Sequence, residues 1–208
     1  MNNNPRDPSA TVWHIGGASG SGKSRVAYPL AHAIGVPLVE VDDVVESLLA
    51  MTTPQEQPAL HHWRTHPEAT DLPAVEIVRL QIALATALLP ALEAVVANHL
   101  ETETPVVIEG DYLLPSFAAQ AAFGRQPAAG RVRAVFLVEP DEDRLVANYA
   151  DREPSEPAQT GRARASGLFG KWLEDEAVRF GIPVVPARPW STVDTRVRAA
   201  LNQEQAHR

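Results

Sequence analysis

The residues around position 20 have the types and the spacing needed to bind phosphate. Residues 17–24 read GASGSGKS and fit the pattern G-x-x-x-x-G-K-[ST] between a predicted strand and a predicted helix. Small residues let the backbone wrap closely, so that its N–H groups and the helix N-terminus point at phosphate oxygens. Lys23 supplies a point charge to the β and γ phosphates, and the Ser24 hydroxyl can bind Mg²⁺. The segment therefore predicts a site for ATP and Mg²⁺, with these nucleotide contacts: Gly17, Ala18, Ser19, Gly20, Ser21, Gly22, Lys23, Ser24 and Arg25.

Acidic residues follow two of the predicted strands. Asp42 and Asp43 come after one apolar run, whereas Glu109 and Asp111 come at the end of another. Ligands of open α/β sheets bind at the carboxyl ends of strands, so these carboxylates are expected beside the phosphate. One of them could accept the proton of a hydroxyl that attacks the γ-phosphorus. The alternative is a structural role, in which these acids cap a helix or accept hydrogen bonds from loop N–H groups. Asp42 and Glu109 are the predicted catalytic acids, and Asp42 and Asp111 are the predicted acceptor contacts. The choice of base among Asp42, Asp43 and Glu109 stays open.

Arginines flank a segment rich in proline and glycine at residues 154–167. This composition predicts a mobile loop, and the planar donors of Arg152, Arg162 and Arg164 could neutralise a transferring phosphoryl group when the loop closes. A solvated surface position is the alternative for each. We rank Arg152 first, Arg162 second and Arg164 third, and the first two are the predicted catalytic arginines.

Other side chains could bind the adenine of ATP or the acceptor. Arg188 and Trp190 follow the last predicted strand and could stack on adenine, although a tryptophan is as often simply buried. Arg64 and Arg79 could hold an anionic acceptor or pair with surface acids instead.

Three histidines in the central segment raise the question of a metal site. His62 and His66 are four residues apart, which places them on one helix face, with His61 beside them. No glutamate follows in the zinc-protease pattern, so an acceptor-binding or surface segment is the favoured interpretation.

Strands and helices alternate along the chain, which predicts an α/β fold with a parallel sheet covered by helices on both faces. No regular element is predicted from 52 to 71. Pro29 is expected to be tolerated as a kink, Pro90 is expected to kink or break its helix, and Ser191 or Thr192 is expected to cap the last helix. The predicted strands are 11–15, 37–41, 105–110, 132–138 and 182–187, and the predicted helices are 25–34, 43–50, 74–100, 141–153, 167–180 and 191–201.

The length of 208 residues is enough for one α/β domain with a full core. We predict a disordered tail at 1–10 and a single domain at 11–208. Within this domain, an excursion at about 52–80 is expected to bind the acceptor, and a lid is expected at about 151–166.

Composition and charge exclude several kinds of function. The 18 basic and 26 acidic residues give a net charge of −8, which argues against nucleic acid as a partner and favours small molecules. The absence of cysteine excludes disulfides, thiolate catalysis and cysteine-bound metals. No apolar leader and no run of about 18 apolar residues is evident, so a cytoplasmic protein without membrane contact is expected. The oligomeric state is not predicted.

The chain resembles the P-loop small-molecule kinases, the group of shikimate, gluconate, uridine and 2-phosphoglycerate-kinase-like proteins. The likeness lies in IGGASGSGKS, VEVDDVVE, VVIEGD and FLVEP. It implies a three-layer P-loop nucleoside triphosphate hydrolase fold with a five-stranded sheet in the order 2-3-1-4-5, an arginine-bearing lid after the fourth strand and an adenine loop after the fifth. The spacing of Asp42 and Glu46 is similar to that of shikimate-kinase-like residues that contact the acceptor hydroxyl, and Asp42 with Asp43 is similar to uridine-kinase-like aspartates. No shikimate-type glycine triplet follows the third strand.

The sequence therefore predicts an ATP- and Mg²⁺-dependent kinase that transfers the γ-phosphoryl group to a hydroxyl of a small metabolite. The alternative is a P-loop ATPase or nucleotide-dependent switch that acts through a protein partner. A guanine-specific GTPase is weakened because no N-K-x-D motif occurs near the last strands.

Overall fold

The computed structural model describes residues 11–203 and 205, so the predicted tail at 1–10 lies outside the described residues. Five parallel strands form the central sheet, and a separate two-stranded antiparallel hairpin accompanies it. The α/β class and the five-stranded parallel sheet are confirmed. The strands are β1 (Val12–Gly16), β2 (Leu38–Glu40), β3 (Val106–Gly110), β4 (Ala122–Phe123), β5 (Gln126–Pro127), β6 (Val132–Val138) and β7 (Val184–Pro186).

The order of strands in the sheet is β2-β3-β1-β6-β7, which differs in numbering from the expected 2-3-1-4-5. The difference arises from the hairpin of β4 and β5, whose two-residue strands are too short to show an alternating pattern. The segments predicted as fourth and fifth strands correspond to β6 and β7.

Helices cover both faces of this sheet. In the described residues they are α1 (Lys23–Ile34), α2 (Val41–Met51), α3 (Pro58–Thr65), α4 (Ala74–Glu101), α5 (Pro115–Ala118), α6 (Glu142–Arg152), α7 (Thr160–Phe180) and α8 (Trp190–Leu201).

The side chains of the central strands alternate between two hydrophobic clusters. Val107 and Val135 lie in the cluster that contains residues of α1 and α8, whereas Ile108 and Ala134 lie in the cluster that contains residues of α4 and α7. Both faces of β3 and β6 are buried, which explains why their sequences are almost continuously apolar. The fold thus has three layers.

Two segments predicted to be irregular are largely helical. The region 52–71 contains α3 and a 3₁₀ helix at Pro67–Asp71, and in both elements a proline occupies the first turn, where its missing N–H costs nothing. The predicted loop at 154–167 is wrong from Thr160 onward, because α7 begins there. Burial of its apolar face outweighs the low helix propensity of its glycines.

Two prolines are tolerated inside helices, and one helix cap differs from expectation. Pro29 and Pro90 lie inside α1 and α4 without ending either helix. The cap of α8 is Pro189, so Ser191 and Thr192 lie within the first turn instead of capping it.

Helix α4 is long and apolar enough to cross a membrane by length and composition alone. Its most apolar 18-residue window has a mean hydropathy of 1.9, and 28% of that window is buried. In this fold α4 lies against the sheet and packs on α3 and α7, with Leu84, Leu88 and Leu92 buried in the core. A core helix of a globular domain passes the same test, so the length of α4 is weak evidence for a membrane span.

Candidate active site

A cavity of about 640 Å³ opens where β1, β2 and β3 end, and we call it the loop cavity. Most of the residues singled out in the sequence line it together. It is also lined by Glu40, Gly110, Asn148 and Asp151, which the sequence analysis missed. The predicted residues that line it are Ser19, Gly20, Gly22, Lys23, Ser24, Arg25, Asp42, Glu109, Asp111, Arg152, Arg162 and Trp190.

The predicted phosphate-binding loop, residues 17–24, has a backbone shape that needs glycine. Gly20 and Gly22 have φ values of 77° and 90°, which residues other than glycine rarely adopt. A Cβ at Gly22 would also lie 2.2 Å from the ring of Trp190, and one at Gly20 would lie 3.1 Å from the ring of Tyr149. The loop is therefore held between an aromatic ring of α6 and one of α8.

Two side chains of α6 bind the carbonyl groups of this loop. Asn148 donates from Nδ2 to the Gly20 carbonyl at 2.8 Å, and the Tyr149 hydroxyl donates to the Ser19 carbonyl at 3.0 Å. The same hydroxyl lies 2.7 Å from the Ser166 hydroxyl, which ties the loop to α7 as well. Neither residue could be found from the sequence, because no local motif marks a side chain that supports a loop about 130 residues earlier.

Lys23 lies at the centre of the cavity with 6% of its surface exposed. Its ammonium group donates to the Ala18 carbonyl at 3.2 Å and forms an ion pair with Asp111. Burial works to lower the pKa of Lys23, but the carboxylates of Asp111 and Glu109 outweigh it and raise this pKa above its usual value. Lys23 is therefore a fixed positive charge, with a third N–H donor available to a ligand.

Glu109 and Ser24 form the second polar pair of the cavity. The Ser24 hydroxyl donates to Oε1 of Glu109 at 2.9 Å, while the buried Oε2 has no hydrogen-bond partner within the described chain. Burial raises the pKa of Glu109, against the opposing effects of Lys23 and the Ser24 hydrogen bond. A hydroxyl next to an unused carboxylate oxygen is a donor set that fits Mg²⁺, which keeps several water ligands and needs few from the protein.

Asp42 belongs to the first turn of α2, directly after β2. No hydrogen bond or ion pair of its carboxylate occurs among residues 11–203 and 205. Burial and the neighbouring Asp111 carboxylate raise its pKa, and Lys23 opposes this effect. Asp42 and Asp43 are both exposed at the surface of α2, but only Asp42 lines the cavity. The structure therefore brings Asp42 to the cavity and leaves Asp43 outside it.

Arg152 and Arg162 line the cavity on its other side, next to α6 and α7. Both bind Glu153, at 2.8 Å from Arg152 and 3.1 Å from Arg162. Hydrogen bonds from Gln159, Arg152 and Arg162 lower the pKa of Glu153 to about 2. Arg162 also lies over the ring of Tyr149 at 4.3 Å. Glu153 thus holds both arginines at the edge of the cavity.

Trp190 forms a stack with two arginines beside the loop. The guanidinium groups of Arg25 and Arg188 lie 4.7 and 4.5 Å from the centre of its ring. Arg188 does not line the cavity, and it contacts Glu139 at 3.4 Å and Asn148 at 3.3 Å. The contact of adenine with this stack stays a prediction.

Arg64, Arg79 and Glu46 are not brought to the loop cavity. Arg64 forms an exposed ion pair with Glu46, and Arg79 pairs with Glu76 at 2.7 Å one helical turn away. These are the surface pairs that the sequence analysis kept as the alternative. Glu46 lies one turn after Asp42 on α2, but it pairs with Arg64 and does not line the cavity, so the acceptor contact that the resemblance implied for Glu46 stays a prediction.

The histidine segment offers no metal site in the part of the chain that the structure describes. The rings of His62 and His66 stack at 4.6 Å with an angle of 16° between their planes, and His61 lies 3.0 Å from the Thr52 hydroxyl. His61 is buried, and the three histidines contact each other or neighbouring residues, so the acceptor-binding or surface role of this segment stays a prediction.

No protein-family model and no curated protein matches the chain. Solved structures similar to this one include a gluconokinase from Sinorhizobium meliloti 1021, with 20% identity, a TM-score of 0.48 and coverage of 94% of this chain and 93% of that one. A shikimate kinase from Bacteroides thetaiotaomicron has 16% identity and a TM-score of 0.49, with coverage of 93% and 99%. Both names belong to the P-loop small-molecule kinases, the group that the sequence resembles. At such identities the likeness concerns the fold alone.

Proposed function

We propose that this protein is an ATP- and Mg²⁺-dependent kinase that transfers the γ-phosphoryl group to a hydroxyl of a small metabolite. One observation carries the proposal. A single cavity holds the phosphate-binding loop with Lys23, the Ser24–Glu109 pair and a free carboxylate at Asp42, with two arginines opposite. These are the groups that phosphoryl transfer needs, since its catalysis is mainly positioning and charge stabilisation.

The loop side of the cavity would bind the triphosphate. The backbone N–H groups of residues 17–24 and the N-terminus of α1 supply donors and partial positive charge for phosphate oxygens. The ammonium group of Lys23 adds a full positive charge, and because Lys23 is buried this charge would lie close to the ligand. Ser24 and Glu109 would hold the metal, Glu109 directly or through water, and Mg²⁺ would supply charge neutralisation at the phosphate oxygens.

The carboxylate side of the cavity would bind the acceptor. Asp111 is engaged by Lys23 and Glu109 by Ser24, whereas Asp42 has no partner among the described residues. Its raised pKa makes it a stronger base than an ordinary aspartate. The acceptor O–H would give its proton to Asp42 as the oxygen bonds to the γ-phosphorus, and the bond from that phosphorus to the β-phosphate oxygen would break to release ADP.

The arginine side of the cavity would stabilise the transferring group. Arg152 and Arg162 present planar donors that can neutralise phosphoryl oxygens as charge develops. Their common partner Glu153 would have to release part of its contacts to let them turn inward. We propose that residues 151–166 act as the lid and that 52–80 borders the acceptor, within a single domain at 11–208. A small-molecule acceptor, rather than nucleic acid, and a cytoplasmic location remain parts of this proposal.

A thermal-shift screen followed by a turnover assay tests the function. Hydroxyl-bearing metabolites are added to the protein with Mg²⁺ and a non-hydrolysable ATP analogue, since a bound acceptor raises the unfolding temperature by mass action. Compounds that shift it are then tested with ATP for ADP formation and for a phosphorylated product. ATP binding with no stimulation of ADP formation by any hydroxyl compound would instead favour the ATPase or switch. Failure to bind Mg·ATP would exclude both.

A further inference from the structure

A buried carboxylate that the proposed function leaves unused lies at the end of β6. Glu139 follows this strand directly, with 1% of its side chain exposed, and it does not line the loop cavity. Two arginines contact it: Nε of Arg188 lies 3.4 Å from Oε2, and Nη1 of Arg144 lies 3.7 Å from Oε1. A buried carboxylate is costly without a partner, so these contacts stabilise Glu139 where it lies.

Arg188 joins Glu139 to a side chain that supports the loop of residues 17–24. While its Nε–H donates to Glu139, its Nη2–H donates to Oδ1 of Asn148 at 3.3 Å. Nδ2 of Asn148 in turn donates to the Gly20 carbonyl at 2.8 Å. Three consecutive hydrogen bonds therefore connect a carboxylate after β6 with the backbone of the loop. We call Glu139, Arg188 and Asn148 the support network.

The chemistry of these groups fixes the direction of each hydrogen bond. A guanidinium has N–H donors and no acceptor, so it binds the oxygen of an amide and not its nitrogen. Arg188 therefore holds Oδ1 of Asn148 towards itself, which leaves the N–H donors of Nδ2 for the Gly20 carbonyl. If the amide of Asn148 turned over, its oxygen would face that carbonyl and no hydrogen bond would form. Arg188 thus determines which end of this amide meets the loop.

The carboxylate of Glu139 determines where the guanidinium of Arg188 lies. A hydrogen bond between two charged groups is stronger than one between neutral groups, and salt screens it little when the acceptor is buried. The ring of Trp190 supports the guanidinium as well, at 4.5 Å from the ring centre. An arginine side chain has many rotamers, so these fixed partners are needed to keep Nη2 within reach of Asn148.

The support network holds one peptide unit of the loop. Asn148 binds the carbonyl of this unit, which belongs to Gly20. The N–H of the same planar unit belongs to Ser21 and donates to the Ala18 carbonyl at 3.2 Å. Glycine has the most flexible backbone of all residues, so an unsupported loop at this position would sample other conformations. Contacts at both ends of the unit keep the loop in one conformation before a ligand binds.

We propose that Glu139 and Arg188 are positioning residues, which preorganise the loop for the triphosphate through Asn148. Neither residue has to touch the phosphates, and the role is separate from the predicted stacking of Arg188 on adenine. A loop that is already ordered loses less conformational entropy on binding, so the support network raises the affinity for a polyphosphate. The inference rests on the proposed function, because it takes the loop as the site of the triphosphate.

NMR of the full chain without ligand tests the connection to Gly20. Glu139→Met and Glu139→Gln both remove the charge, but glutamine keeps an oxygen that can accept from Arg188. The ¹³C resonance of the Gly20 carbonyl is expected to move upfield in Glu139→Met, as it does when a carbonyl loses a hydrogen bond, and to move less in Glu139→Gln. Arg188→Met should move it upfield as well. Arg144→Met, which removes the other arginine at Glu139, is the control and should leave it unchanged.

Titration with Mg²⁺ and inorganic triphosphate tests the effect on binding, and this probe excludes any contact of Arg188 with adenine. Glu139→Met and Arg188→Met should each bind the probe about fivefold more weakly or worse, with Glu139→Gln between Glu139→Met and the wild type. Loss of a negative charge would by itself tighten the binding of an anion, so the effect expected for Glu139→Met has the opposite sign. Arg144→Met should bind as the wild type does.

The partly exposed position of Arg188 keeps the test decisive if Glu139→Met does not fold. An unchanged Gly20 resonance or an unchanged affinity for triphosphate in Arg188→Met overturns the proposal. Equal effects of Glu139→Met and Glu139→Gln, or an equal loss in Arg144→Met, overturn it too. These outcomes refute the positioning role alone when the wild-type protein binds the probe. A wild-type protein that does not bind Mg²⁺ and triphosphate would refute the proposed function and the positioning role together.

Discussion

Replacement of Glu109 by glutamine should stabilise the protein at neutral pH while it impairs magnesium binding. The side chain is 4% exposed, and its Oε2 has no hydrogen-bond partner within the described residues. Burial raises the pKa of Glu109 despite the opposing charge of Lys23, so the folded state disfavours the carboxylate form. Glutamine removes the charge and keeps the shape, and its amide oxygen can still accept the hydrogen bond that Ser24 donates.

The expected gain is the part of the desolvation cost that comes from the charge, because the neutral amide that replaces Oε2 also has no partner there; a buried polar group without a partner costs about 1–3 kcal/mol, and more when it is charged. We expect Glu109→Gln to raise the free energy of unfolding by about 1–2 kcal/mol at about pH 8. Since 1 kcal/mol shifts the unfolding temperature of a domain of this size by about 2–4 °C, the variant should melt roughly 2–8 °C higher.

The effect should also depend on pH in a definite direction. Because the pKa of Glu109 is raised in the folded state, the wild-type penalty is absent below the pKa of an unfolded glutamate and develops as pH rises through the folded pKa. The advantage of the variant should therefore grow as pH rises from about 4.3, the pKa of an unfolded glutamate, towards the upper pH of about 8. Calorimetry without nucleotide measures it, and a variant that melts at or below the wild-type temperature at the upper pH would refute the reasoning.

Glu153→Gln is the matched control, with the opposite sign. Hydrogen bonds from Gln159, Arg152 and Arg162 hold the pKa of Glu153 at about 2, so its charged form stabilises the fold above the unfolded pKa and this contribution is lost as pH falls through about 2. Its removal at neutral pH should give a small loss of stability and never a gain. The two glutamates thus separate a burial effect from a general effect of removing negative charge.

Three further variants test the roles in the loop cavity. Lys23→Ala should abolish ATP binding in calorimetry while circular dichroism stays native, whereas Lys171→Ala, which removes the other lysine of the chain, should bind normally. Asp42→Asn should lower kcat by about 100-fold or more with little change in ATP affinity. An equal fall in kcat for Asp43→Asn would show that Asp42 is not the general base. Tyr149→Phe should raise the KM for ATP and lower stability by about 1–2 kcal/mol, because one buried and one partly buried hydrogen bond are lost. An unchanged KM would show that Tyr149 does not support the loop.

Sequence reasoning works well where chemistry depends on adjacent residues. The loop between β1 and α1 could be predicted because its glycines, Lys23 and Ser24 are contiguous and follow a short apolar strand, whereas phosphate binding by this loop stays a prediction. The strand over 132–138 coincides with β6, since burial on both faces leaves a continuous apolar run. Both predictions rest on local patterns that the fold does not override.

Sequence reasoning fails where distant packing decides. The glycines of 154–167 suggest a loop, but burial of Ala163 and Phe169 extends α7 back to Thr160. Arg64 and Arg79 have the right charge for an anionic acceptor, yet nearby carboxylates on the surface bind them first. A pattern in a single sequence does not predict which of several nearby carboxylates a flexible arginine will bind.

The same limit explains why the acids of the cavity could be named but not assigned roles. Glu109, Asp111 and Asp42 are equivalent from their position after strands, and it is their partners that distinguish them. Glu109 accepts the hydrogen bond of the Ser24 hydroxyl and Asp111 pairs with the Lys23 ammonium, so both are engaged by the predicted phosphate-binding loop. Asp42 alone of these three has a carboxylate that the described chain leaves free, and a base must be free to take up a proton. The assignment of Asp42 as base therefore depends on tertiary contacts that separate three chemically similar side chains.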